Sequence, residues 1–337
     1  MRTTIRKLAI ALAGAVLVVT GLAAGGLVYY ATSKLPLGPE PLQFSLKAGS
    51  SLRSASQQMA EAGALHLPGA FEALGRVLGE AANVKAGNYE LEPGLTPYGL
   101  LRKITRGDYT LVAITFPEGW TFRQMRKALD DHPAVRHDTA GLPDAEILQR
   151  LAMTGPSPEG WFFPDTYHFS HGTSDLRILR RAYRLMQAQL AAQWEKRDPG
   201  LPFASPYEAL ILASIVEKET GRAEERPLIA AVFVNRLRRG MKLQTDPTVI
   251  YGMGDAFDGN LRKRDLLADT PYNSYTREGL PPTPIAMPGL ASLAAALGPA
   301  KSDALYFVAR GDGSSIFSRT LAEHERAVTK YQKAGKR

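Results

Sequence analysis

Glu217 and Glu219 close a stretch, Ser205-Pro-Tyr-Glu-Ala-Leu-Ile-Leu-Ala-Ser-Ile-Val-Glu-Lys-Glu-Thr-Gly221, that is apolar on every side over residues 209–216. A helix with no wet face is a buried helix, and carboxylates at its end must be paired, neutralised or used. Burial raises a glutamate above its ordinary titration near about 4.3, so it can hold a proton at neutral pH. Such a group can donate to the leaving oxygen of a glycosidic bond. By helical angle Glu217 shares a side with Leu210, Ala213 and Ser214, and Glu219 with Leu212 and Ile215. Pattern therefore leaves open which is the acid. It also leaves open a structural reading, in which both pair with Lys218 or Arg222 at a helix end.

Other chemistries find less support. Asp165-x-x-His168-x-x-His171 has the ligand types of a metal site, but Gly172 interrupts it and no fourth ligand is evident. Neither metal nor cofactor is expected. The chain has no cysteine, which removes thiolate zinc sites, disulfides and cysteine nucleophiles. It has no Gly-x-Ser-x-Gly elbow, and the residue three after Ser214 is Glu217 rather than lysine. Glu159-Gly-Trp-Phe-Phe-Pro-Asp-Thr-Tyr167 sets aromatic residues beside two acids. Plain core packing and a stacking platform for sugar rings both fit that run.

The elements around these residues follow from caps and periodicity. Ser205-x-x-Glu208 is a capping box, Pro206 suits the first helical position and Gly221 a left-handed stop. Residues 243–251 read as a turn, set by Asp246-Pro247, and a strand. Helices are expected over 97–105, 173–196 and 224–239, a strand over 86–91, a hairpin over 305–318 around Gly311-Asp-Gly, and a capped helix from Thr320. Residues 141–158 read as a loop and short helix. Residues 270–288 hold too many prolines for regular structure, and Tyr272, Asn273 and Tyr275 suggest a binding loop. A repeat at an offset of seventy residues aligns Phe44-Ser-Leu-Lys-Ala-Gly49-Ser-Ser51-Leu-Arg53 with Thr115-Phe-Pro-Glu-Gly119-Trp-Thr121-Phe-Arg123. Each copy reads as strand, glycine turn, hydroxyl cap and amphipathic helix (52–62 and 122–129). It is either a small α+β module or a recurring local idiom.

A chain of 337 residues, 45% hydrophobic, can bury a sizeable core and form two folded units. Residues 8–31 are almost wholly apolar and long enough to cross a bilayer. Arg2, Arg6 and Lys7 precede them and only Lys34 follows closely, so the N-terminus is expected in the cytoplasm and the rest outside. A cleaved signal peptide, processed near Ala23-Ala24-Gly25, is the competing reading; the length of the run favours an anchor. Residues 1–34 are thus the cytoplasmic end and anchor, and 35–41, with Pro36, Pro39 and Pro41, a stiff linker. The net charge of +8 suits an anionic partner. Outside the cell that partner is a wall polymer rather than nucleic acid.

Ala213-Ser-Ile-Val-Glu217-Lys-Glu-Thr220, Asn235-Arg-Leu237, Leu243-Gln-Thr-Asp-Pro-Thr248, Tyr272-Asn273 with Tyr275-Thr276, Gly279-Leu-Pro-Pro282 and the run 159–167 together resemble the endolytic murein transglycosylase family. The likeness extends from the membrane segment almost to the C-terminus, in the family's order. It implies an α+β protein with an N-terminal transmembrane helix, a small LysM-like α+β module at 42–130 and a larger mixed α+β catalytic domain at 131–337. It implies a single-pass inner-membrane location with the catalytic domain extracytoplasmic. It implies Glu217 as the catalytic residue, cutting MurNAc–GlcNAc β-1,4 bonds within nascent strands without water, leaving 1,6-anhydro-MurNAc ends and ending strand growth. Glu217 would serve first as acid and then as base, with the substrate's acetamido group stabilising the cationic centre. The cleft is expected to be lined by Glu159, Trp161, Tyr167, Gln244, Asp246, Asn273 and Tyr275, with Lys218 and Glu219 in support and Asp165 and Thr248 as structural caps. Implied partners are peptidoglycan strands, penicillin-binding synthases and the elongation machinery. Two alternatives stand beside this: a two-carboxylate peptidoglycan hydrolase using Glu217 with Glu219 or Asp246, and a non-catalytic wall-binding scaffold.

Overall fold

A computed structural model describes residues 2–39, 41–109 and 111–333, with side chains from residue 12 through residue 332 in those ranges. The ends of the expected 1–34 and 131–337 segments, Met1 and residues 334–337, and Glu40 of the expected linker lie outside the described residues. The chain divides into two compact units. One comprises the chain up to Val112 with Phe169–His171; the other comprises Ala113–His168 and the chain from Gly172 onward.

The first unit opens with α1 (Arg2–Thr32), whose segment Leu12–Thr32 is long and apolar enough to cross a membrane. Strand β1 (Leu42–Leu46) pairs antiparallel with β2 (Gly87–Leu91), Phe44 opposite Tyr89. Helices α2 (Leu52–Glu61), α3 (Pro68–Val77) and α4 (Pro97–Arg106) complete the core, in which Met59, Phe71, Tyr89, Leu100 and Ile104 are fully or almost fully buried. The expected linker does not stand free: Leu35 is buried in this core and its amide donates to the Leu95 carbonyl at 2.8 Å.

Strands β3 (Leu111–Thr115) and β5 (Thr166–Ser170) cross the division between the units. The second unit continues through α5 (Phe122–Asp130), β4 (Val135–Arg136), α6 (Asp144–Leu151) and β6 (Thr173–Ser174), which pairs parallel with β4. Helix α7 (Asp175–Glu195) then leads to α8 (Pro206–Glu219), α9 (Arg226–Arg238), α10 (Asp246–Met253), α11 (Lys263–Leu267) and α12 (Leu290–Leu297). An antiparallel hairpin of β7 (Tyr306–Ala309) and β8 (Ser315–Ser318) precedes α13 (Leu321–Val328). The result is mixed α+β, with four two-stranded sheets among the described residues.

Both repeat copies form the expected strand, turn and capped helix. Ser51 caps α2, and Thr121 caps α5 with a full capping box through Gln124. The two copies cluster in different units. Three local expectations are corrected. Residues 246–253 are helix rather than strand, because Asp-Pro opens a helix as readily as a turn, and a short apolar run does not distinguish the two. Glu208 reaches the Ala204 amide at 2.6 Å rather than that of Ser205, while Ser205 accepts from the Glu208 amide at 3.4 Å. The end of α8 is Thr220 in extended backbone (φ −145°), and Gly221 is not left-handed.

Helix α8 is the centre of the second core. Residues 209–216 are all buried, packed most extensively against α12 and then α9. The Pro-rich segment before α12 is fixed to it by Ser214, whose hydroxyl donates to the Ile211 carbonyl (2.7 Å) and accepts from the Ile285 amide (3.0 Å). Ser214→Ala leaves that buried amide without a partner. It should cost about 1–3 kcal/mol, read as a lower denaturant midpoint at unchanged slope; an unmoved midpoint would show the tie to be idle.

Candidate active site

Successive helical side chains point about 100° apart, so Glu217, Lys218 and Glu219 at the end of α8 address three different surroundings. Glu217 is closed in, its side chain 6% exposed. Its Oε2 accepts from the Gly289 amide at 2.9 Å, and its Oε1 lies 3.5 Å from the Arg226 guanidinium. Gly289 precedes α12, so the carboxylate sits at that helix's N-terminus, where its charge is favoured. Arg226 opens α9 beside Glu225, which accepts from the Ser315 amide (2.8 Å) and hydroxyl (2.9 Å) and so ties α9 to the hairpin. Lys218 is exposed and donates to the Gly119 carbonyl at 3.3 Å.

A third acid stands at this point. Glu118 lies on the turn after β3, and that turn is clamped by Gly119 N–H to the Met287 carbonyl (2.9 Å) and Met287 N–H to the Trp120 carbonyl (2.7 Å). Its carboxyl occupies the place a Cβ on Gly289 would take. Partial burial first, and the Glu217 charge second, push its pKa up, while Arg226 opposes them.

Glu219 faces elsewhere. It accepts from the Thr245 hydroxyl, and burial pushes it up to about 7, with Asp246 adding and Thr245 and Arg236 opposing. Around it, Tyr275 donates to Asp246 at 2.5 Å and Gln244 accepts from Arg236 at 3.3 Å. Gln244 holds a left-handed backbone (φ 51°), and its backbone N–H donates a hydrogen bond to the Ser274 carbonyl at 3.0 Å. Asn273 is buried, its amide donating to the Asp265, Leu266 and Ala268 carbonyls and accepting from the Tyr275 amide. It shapes the loop and has little left for a ligand. Thr248 donates to the Thr245 carbonyl at 2.8 Å.

Glu159 borders a cavity of about 890 Å³ whose wall also includes Arg126, Lys218, Tyr251 and Tyr272. It is 4% exposed, accepting from the Phe122 amide (2.9 Å) and the Tyr251 hydroxyl (3.1 Å). Burial pushes it up to about 7 against both hydrogen bonds. Trp161 and Tyr167 are turned into the packing instead. Trp161 stacks on Tyr207 with centroids 5.5 Å apart, and the Tyr167 hydroxyl donates to the Phe163 carbonyl at 2.6 Å. Asp165 accepts from the adjacent Thr166 amide at 2.7 Å. Among the described residues no three histidine or carboxylate side chains are grouped to hold a metal ion.

Residues 44–330 match the model of the YceG-like family. The chain belongs to that family. A yceG-like protein from Listeria monocytogenes, solved by crystallography, shares 30% identity with a TM-score of 0.54, over 86% of this chain and 99% of the other. An endolytic murein transglycosylase of Bacillus subtilis is 35% identical over 269 residues, 74% of each chain. One from Streptococcus pneumoniae is 28% identical over 285 residues, and this YceG-like chain spans about half (51%) of its length.

The residues expected to line one cleft thus separate. Glu217 and Lys218 stand together, Glu159 joins Lys218 in the cavity wall, and 244–246 with 273–275 gather round Glu219. Glu118 was not anticipated. The signal lay in the repeat, where it replaces Ala48 of the first copy. Glu159 also sets a pH dependence. Folded, it keeps its proton to about pH 7; unfolded, it loses it near 4.5. The stability it contributes is complete below the lower value and is lost as pH rises through the upper one. Glu159→Gln should therefore flatten the fall in melting temperature between pH 5 and 8, leaving a residual slope from Glu219; equal slopes in both proteins would contradict this.

Proposed function

We propose that this protein is an endolytic murein transglycosylase with Glu217 as its acid and base. The observation that carries the reading is Glu217 itself. It is a nearly enclosed carboxyl at the end of an all-buried helix, oriented by one backbone amide and one guanidinium. Those two partners hold the carboxyl in one orientation. Similarity to proteins named endolytic murein transglycosylase supplies the substrate class.

In this reading Glu217 protonates the leaving oxygen as the bond from MurNAc C1 breaks, and the substrate's acetamido group stabilises C1. The resulting carboxylate then takes the proton of the MurNAc C6 hydroxyl, whose oxygen closes on C1. No water is consumed, and the products are a 1,6-anhydro-MurNAc end and a free GlcNAc hydroxyl. Glu159, Lys218, Gln244, Asp246 and Tyr275 would hold the strand, with Trp161, Tyr167 and Asn273 shaping the walls and Glu219 supporting the end of α8. The apolar helix would anchor the protein once in the inner membrane, with the catalytic unit outside. There it could meet strands as penicillin-binding synthases and the elongation machinery extend them, and end their growth. In this reading residues 42–130 form a LysM-like module and 131–337 the catalytic domain.

Glu217→Gln should lower cleavage of isolated glycan strands by at least about a hundredfold while leaving the melting temperature near that of wild type; persistent cleavage would remove Glu217 from its role. Anhydro ends on the wild-type products are expected. Reducing ends would instead indicate hydrolysis, and an inactive wild type a scaffold.

A further inference from the structure

Glu217 meets a cation and a helix N-terminus together. Arg226 lies 3.5 Å away, and the Gly289 amide donates to Glu217 at 2.9 Å at the positive end of α12. Both present positive charge or dipole to the same carboxyl. One group of opposite charge stands beside them. Glu118, from the turn after β3, brings its carboxyl onto the bare Cα of Gly289, the residue whose amide Glu217 uses. The other charged side chains facing this point are Arg226 from α9 and Lys218, whose ammonium reaches the Gly119 carbonyl beside Glu118. Helix α12 itself, Leu-Ala-Ser-Leu-Ala-Ala-Ala-Leu, brings no titratable side chain.

We propose that Glu118 is a positioning residue for the reaction at Glu217: two carboxyls share the glycine seat at the start of α12, and the charge of the outer one, open to solvent, acts on the inner one against that of Arg226. This rests on Glu217 being the acid and adds to it a partner that neither Glu219 nor Asp246 supplies. Glu219 is committed to Thr245, and Asp246 to Tyr275. Gly289 is required because any Cβ there would displace Glu118. That displacement moves only the end of a flexible side chain, so the fold should tolerate it.

The test is the pH profile of kcat/KM on peptidoglycan strands with the full chain in detergent. Glu118→Gln removes the opposing charge and should move the alkaline limb down by at least about one pH unit, with activity recovering toward wild type on the acid side. Glu118→Asp should restore part of the shift. Gly289→Ala keeps the amide and expels the Glu118 carboxyl, and should move the limb the same way. Arg226→Gln should move it upward. Melting temperatures of all four report folding independently. An unmoved limb in folded Glu118→Gln and Gly289→Ala, or a loss uniform across pH, would overturn the role of Glu118 and leave that of Glu217 intact. Loss of the reading for Glu217 would show instead as full activity in Glu217→Gln.

Discussion

The hydrogen bond from the Gly289 amide to Glu217 is the contact on which the site depends. A carboxylate with its side chain 6% exposed would cost several kcal/mol if it were left alone. It is tolerable because the start of α12 meets the end of α8 there, and because α9 brings Arg226 to the same place. Each is set by packing further back. Helix α12 is held along the buried length of α8, and the Pro-rich segment before it is pinned by Ser214. Helix α9 is fastened to the hairpin through Glu225. The apolar face of α8 therefore does more than bury area. It fixes the approach of three chain segments to within hydrogen-bond tolerance of one carboxyl.

Three buried acids receive three different treatments. Glu159 and Glu219 are protonated to about pH 7 by burial that their hydrogen bonds do not offset. Each holds two pieces of chain together, Glu159 joining the start of α5 to Tyr251 and Glu219 joining α8 to Thr245. Glu217 has a cation and an amide instead of hydroxyl partners. Partner identity, rather than depth of burial, is what distinguishes the surroundings of the three.

That distinction marks the limit of what was legible beforehand. The buried character of α8, its capping serine and the acids at its end follow from the apolar run over 209–216 and the residues beside it. Resemblance, not pattern, singled out Glu217. The partners were beyond reach: Arg226, Gly289 and Glu118 are far apart in the chain, and nothing local to any of them points to the others. Residues 246–253 were misread because Asp-Pro followed by a short apolar run satisfies both a turn with a strand and a helix start. Asn273 and Tyr275 were grouped with Glu217 by their place in the family pattern, while the fold spends Asn273 on the loop and sets Tyr275 against Asp246 beside Glu219.

The repeat explains how a tight turn came to matter at the site. Gly49 and Gly119 adopt nearly the same left-handed backbone, φ 79° and 76°, and each leads into a hydroxyl-capped helix. The idiom is a rigid way of aiming the residue before the glycine, since the turn and the cap two residues later leave little freedom between them. In the first unit that residue is Ala48, which asks nothing of its surroundings. In the second it is Glu118, whose carboxyl lies where a Cβ on Gly289 would be. A glycine at 289 and an acid at 118 are thus two halves of one steric arrangement, and either is intelligible only from the other.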